Sequence, residues 1–141
     1  MKRRRSSFGF GSTYDRDADR AVEMIDELAS REARAQRAKA RLYDAVESGS
    51  ASRVFKAKQL GGDALADLSK TLEHARTFEQ TFSLDRLPTY GEFAEAHVLM
   101  RELRREIGLA ERTRRTLVKS AFGGAEEIRR GLAMHDRRRR R

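Results

Sequence analysis

Cysteine and tryptophan are absent from this chain, proline occurs once, and aromatic residues make up only 7% of its 141 positions. Without a thiol there is no disulfide framework, no thiolate metal site and no cysteine nucleophile, which is compatible with a reducing interior compartment. Few aromatics and almost no proline favour helices over a compact sheet protein. Long apolar runs are missing as well, so no segment supplies the roughly 20 apolar residues that a bilayer span needs. The opening MKRRRSSFGFGST starts on charges as a secretory leader does, and Arg4-Arg5 forms an arginine pair, but no apolar stretch of about 7–15 residues follows. The expectation is a soluble, intracellular protein, cytoplasmic or carried in a virion, with no membrane partner.

Residues that carry chemistry are equally scarce. His74, His97 and His135 are dispersed, with no further ligand beside them at metal-binding spacing. Gly61-Gly62 and Gly123-Gly124 lack the additional glycines and the Lys-Ser/Thr of a phosphate cradle, and no serine stands in a nucleophile elbow. Paired carboxylates occur only among arginines, where ion pairing is the default. The expectation is no metal, no cofactor, no small-molecule substrate and no catalysis.

What the chain has in abundance is charge, placed unevenly. Lysine and arginine number 31 against 22 acids, and the formal net charge is +9. Nine cations stand at the two ends: Lys2, Arg3, Arg4 and Arg5, then Arg137, Arg138, Arg139, Arg140 and Arg141. They account for the whole excess, so the interior is neutral. Blocks of like charge are usually interaction tails, and arginines that displace counterions from phosphates bind nucleic acid without reading its sequence. The competing reading is that such clusters only keep chain ends solvated.

Along the chain, residues 1–13 have no period and read as a flexible basic tail, in which Phe8 and Phe10 offer rings for stacking on bases. Residues 14–136 read as a single all-α domain of three to four helices, at least two of them long, forming an elongated bundle or helical hairpin. Residues 137–141 form a polyarginine tail. The first helix covers 14–47, with Val22, Ile25, Leu28, Ala35, Leu42 and Val46 at three- and four-residue steps. Its acids come first and its bases last, matching the helix dipole, so its arginines have a structural explanation that competes with nucleic-acid contact. Between Ala29 and Ala40 its apolar face is alanine alone, which either packs very closely or is not buried.

Ser48-Gly49-Ser50 breaks the period. Residues 51–60 read as a short helix or link capped by Gly61-Gly62, and Asp63 as the N-cap of a new helix carrying Leu65, Leu68, Leu72, Ala75, Phe78 and Phe82 inward. Pro88 ends that connection, and Thr89 with Glu92 forms a capping-box signature. The long helix that follows places Phe93, Ala96, Met100, Leu103, Ile107, Ala110, Leu117 and Ala121 on one side, with an interruption at Arg114. Ala125 to His135 reads as a short terminal helix with Ile128 and Leu132 inward.

Beside that stripe run Arg101, Arg105, Arg112, Arg115 and Lys119, close to one helical face and suited to phosphate contact. Glu111 and Glu102 stand at i,i+4 and i,i+3 to Arg115 and Arg105, so part of this row is expected to be satisfied within the helix. Residues 103–117, with Ile107, Gly108, Leu109 and Leu117 at the corresponding positions, resemble a helix-turn-helix; Arg104 and Arg114 depart from the small and aliphatic residues that motif packs. Ile107-Gly108-Leu109 followed by an arginine-rich helix is also similar to the C-terminal part of phage small terminase subunits, which are helical oligomeric DNA-binding proteins. That likeness does not extend to the rest of the chain.

Together these features lead to an expected function: a non-catalytic helical protein binding the phosphate backbone of DNA or RNA, of a phage or viral structural or DNA-packaging kind. The sites expected are the nine terminal cations with Arg112, Arg115 and Lys119. The alternative is a coiled-coil-like scaffolding or adaptor protein that forms homo-oligomers or docks on an acidic surface of a larger assembly.

Overall fold

A computed structural model describes residues 12–81 and 91–122. The two arginine-rich ends, Pro88, Thr89 and the terminal segment 125–135 lie outside the described residues. Three helices make up the rest: α1 (Ser12–Ser48), α2 (Ala51–Thr81) and α3 (Ala94–Phe122), the last preceded by a 3₁₀ turn at Gly91–Phe93, with no strand among the described residues. At about 1.5 Å per residue, α1 is about 55 Å long and α3 about 43 Å.

The end of α1 is written locally. Gly49 takes a φ of +70°, open to glycine at no steric cost. Its amide donates to the Val46 carbonyl at 3.1 Å, and the Ser48 hydroxyl donates to the Ala45 carbonyl at 2.6 Å. Ser50 then caps α2, its carbonyl accepting from the Val54 amide at 3.0 Å. Two residues between helices leave no room for a crossover, so α2 runs back along α1.

All three helices pack against one another. The ion pairs Arg76–Glu111 and Glu79–Arg104 make α2 and α3 antiparallel. The contacts Gln36–Thr113 and Tyr43–Ser120 make α1 and α3 parallel, one heptad advanced on both helices at once. Ile25 and Leu28 of α1, Leu68 and Leu72 of α2, and Met100, Leu103 and Leu117 of α3 are almost fully enclosed. The alanine face of α1 packs closely, with Ala35 and Ala38 both buried. Leu65 and Phe78 lie partly buried against the core.

One expectation is corrected here. The glycine pair does not cap a helix, because α2 continues through Gly61, Gly62 and Asp63. Gly61 is buried on the inward line Val54, Ala57, Gly61, Ala64, Leu68, and continuity of that packed face outweighs the roughly 1 kcal/mol that a glycine costs in a helix. Of the two readings of residues 103–117, the continuous long helix is the one observed and the helix-turn-helix is not, since α3 passes unbroken through Leu103 to Leu117. Gly108 sits within it without positive φ.

The interruption at Arg114 also resolves. The inward position is taken by Thr113, which is buried, while Arg114 is exposed. Thr113 Oγ1 donates to Glu32 Oε1 at 2.8 Å and accepts from Gln36 Nε2 at 3.1 Å. One heptad further, the buried Tyr43 and Ser120 hydroxyls are hydrogen-bonded to each other. These two polar layers fix the α1–α3 register, because a slip would leave them unmatched. Thr113→Val is therefore expected to cost about 0.5–1.5 kcal/mol, by removing two hydrogen bonds while Gln36 still donates to Glu32. A urea melt checks it: the midpoint falls with an unchanged slope, and an unchanged midpoint would show that the layer contributes nothing.

Candidate nucleic-acid interface

Arg112, Arg115 and Lys119 are all exposed on α3, as are Arg101 and Arg105. Their spacing of three and four residues, with Gly108 completing the sequence between Arg105 and Arg112, lines them along one side of the helix over about 27 Å. The structure brings this row together on the side of α3 turned away from the core. The other sequence-predicted sites, Lys2 to Arg5 and Arg137 to Arg141, lie outside the described residues.

The acid expected to neutralise Arg115 does not do so. Glu111 instead accepts from Arg76 of α2, through Nε at 3.0 Å and through Nη2 as well. Arg104 pairs with Glu79 at 3.0 Å, and Arg34 of α1 pairs with Asp67 of α2. These pairs are half-exposed and each contributes at most about 1 kcal/mol, so their main effect here is to divide the cations into two groups. Arg34, Arg76 and Arg104 are committed between helices. Arg112, Arg114, Arg115 and Lys119 have no acid partner among the described residues.

Arg114 was read from sequence as a flaw in the apolar stripe and in the helix-turn-helix pattern, not as a candidate contact. Exposed above Leu72, it lines two adjoining depressions between α2 and α3, of about 400 Å³ and about 290 Å³. Arg115, Lys119 and Val118 border the first, and Ser69, Thr77 and Gln80 border the second. The cationic row thus continues over the edge of α3 into a groove wide enough for a phosphate group. The signal in the sequence was its place: an arginine on an inward heptad line is either buried and paired or reaches out over the neighbouring helix.

A second cationic region lies where α1 turns into α2. Arg53, Lys56 and Lys58 are exposed there, together with Phe55 and, on α1, Arg41. His74 and His97 are on different helices, and no group of three or more metal-binding side chains occurs among the described residues. No helix among them is long and apolar enough to cross a membrane. Comparison with known protein families, curated proteins and solved structures finds no match to this chain.

Proposed function

We propose that the chain is a non-catalytic nucleic-acid-associated protein that holds the phosphate backbone of DNA or RNA. Its arginine-rich ends act as clamps, and the row Arg112, Arg115 and Lys119 on α3 acts as a rail. The observation that carries this reading is the division of charge: an interior that neutralises itself, an excess of nine cations at the ends, and on α3 a run of cations without acid partners among the described residues. Contacts of this kind position a chain without reading bases, so binding is weakly sequence-specific. A role in packing or packaging a genome, inside a phage or viral particle or a cell, suits such a protein.

The scaffolding alternative drew on an apolar stripe and an alanine face that a single chain had to cover. Part of each is buried within one copy: Ala35 and Ala38 on α1, and Met100, Leu103 and Leu117 on α3. That burial weakens the motive for self-association.

The rail is tested by replacing Arg112, Arg115 and Lys119 together with glutamine and measuring duplex affinity against salt. Each phosphate contact adds about 0.9 to the slope of log affinity on log salt, so the slope should flatten by about 2–3 with helicity unchanged. An unchanged slope removes the rail from the account. Gly108→Lys works in the opposite direction. No atom lies within 4 Å of where its Cβ would stand. The substitution should therefore raise stability by about 0.5–1 kcal/mol through helix propensity and steepen the salt slope by about 1.

A further inference from the structure

Phe55 is 66% exposed, whereas Phe78 and Phe93 are partly buried. Leaving such a ring in water forgoes roughly 2 kcal/mol of burial, and a lone exposed ring gains meaning only from its surroundings. The fifteen residues 48–62 contain no acid, and within them Lys58 lies one turn from Phe55 on the same side of α2. Further round the helix, Lys56 at about 100° from Phe55 and Arg53 at about 160° line a groove of about 240 Å³ together with Arg41 of α1. Asp44 is the acid lining that groove, and it already has an interaction of its own.

We infer that Phe55 is a stacking platform for unpaired bases of a single-stranded nucleic acid, with Lys58, Arg53, Lys56 and Arg41 taking the flanking phosphates. The inference rests on the proposed function and deepens it by naming the form of nucleic acid this end of the molecule prefers. A phenyl ring has a π-face and no hydrogen-bonding group, so it accepts any base but needs that base free of its own stack. In a duplex the bases are enclosed, and only their edges and phosphates are offered. A second copy of this chain is a poor occupant of the same surface, because docking two such patches would bring four cations on each side together.

The full chain carrying Phe55→Trp tests this directly. It would hold the only tryptophan in the protein, whose emission a stacked base quenches. The probes are a labelled oligo-dT of about 20 nucleotides and a blunt duplex of about 20 base pairs, both longer than one site. Anisotropy reports binding of either probe and so tests the phosphate reading by itself, while emission reports stacking. The expected result is strong quenching by oligo-dT and little by the duplex. Phe55→Ala should weaken oligo-dT binding roughly five- to hundredfold and duplex binding less than about twofold. Binding of oligo-dT without quenching, or equal losses on both probes, overturns the stacking platform and leaves the phosphate reading standing. A concentration-dependent dimer abolished by Phe55→Ala, with oligo-dT affinity unchanged, overturns it in favour of a contact between copies. No anisotropy change with either probe at low salt defeats both readings.

Discussion

Leu103→Ala is expected to lower the unfolding free energy by about 2–5 kcal/mol. Leu103 is fully enclosed on α3, in the core shared with α1 and α2. Removing its isopropyl group loses the transfer free energy of three buried carbons and leaves a cavity that helices held in register by the Thr113 and Tyr43 layers cannot easily collapse. A domain of this size has only about 5–15 kcal/mol in total, so the loss takes from about an eighth to all of it. Urea denaturation followed by far-ultraviolet dichroism checks it. Leu109→Ala, on the exposed side of the same helix, serves as the control and should change stability by no more than about 0.5 kcal/mol. Equal effects at the two positions would mean that α3 does not pack as described.

Removing residues 1–5 and 137–141 together is expected to weaken binding to any long nucleic acid by roughly a thousandfold or more near 100 mM salt, without lowering the melting temperature. The reasoning is electrostatic. Each cation that displaces a condensed counterion contributes nearly a decade of affinity at that salt concentration, so engagement of even half of the nine terminal cations yields several decades. The trunk keeps its own internal neutrality, and the core cluster among the described residues is built between Met24 and Leu117. Filter binding of the trimmed and full chains to the same duplex measures the loss directly. A loss of less than about tenfold would assign the affinity to the trunk instead.

The helical class of the chain and most of its core were legible because the apolar residues recur at three- and four-residue steps and Ser48-Gly49-Ser50 marks its break with local chemistry. Where local signals met tertiary packing, packing won. Gly61-Gly62 has the punctuation of a helix end, yet Gly61 lies on the inward line of α2, and that line runs on from Val54 to Leu68. The place of Thr113 was hidden because its partners, Gln36 and Glu32, are 77 and 81 positions away. The arginine row of α3 was visible from spacing, but its pairing was not: Glu111 had a suitable partner in Arg115 four residues on and takes Arg76 of α2 instead. The Phe55 surface was overlooked for a related reason. With residues 51–60 taken for a link, an aromatic with three cations nearby had no face on which to be gathered.

The dependence of affinity on salt tests the central claim most directly. For the full chain on B-form duplex between about 50 and about 200 mM salt, log affinity should fall linearly with log salt, with a slope approaching about −11 if all nine terminal cations and the three of the α3 rail engage phosphates, and removal of both ends should reduce that slope by more than half. A slope that stays the same when the ends are removed would contradict the account.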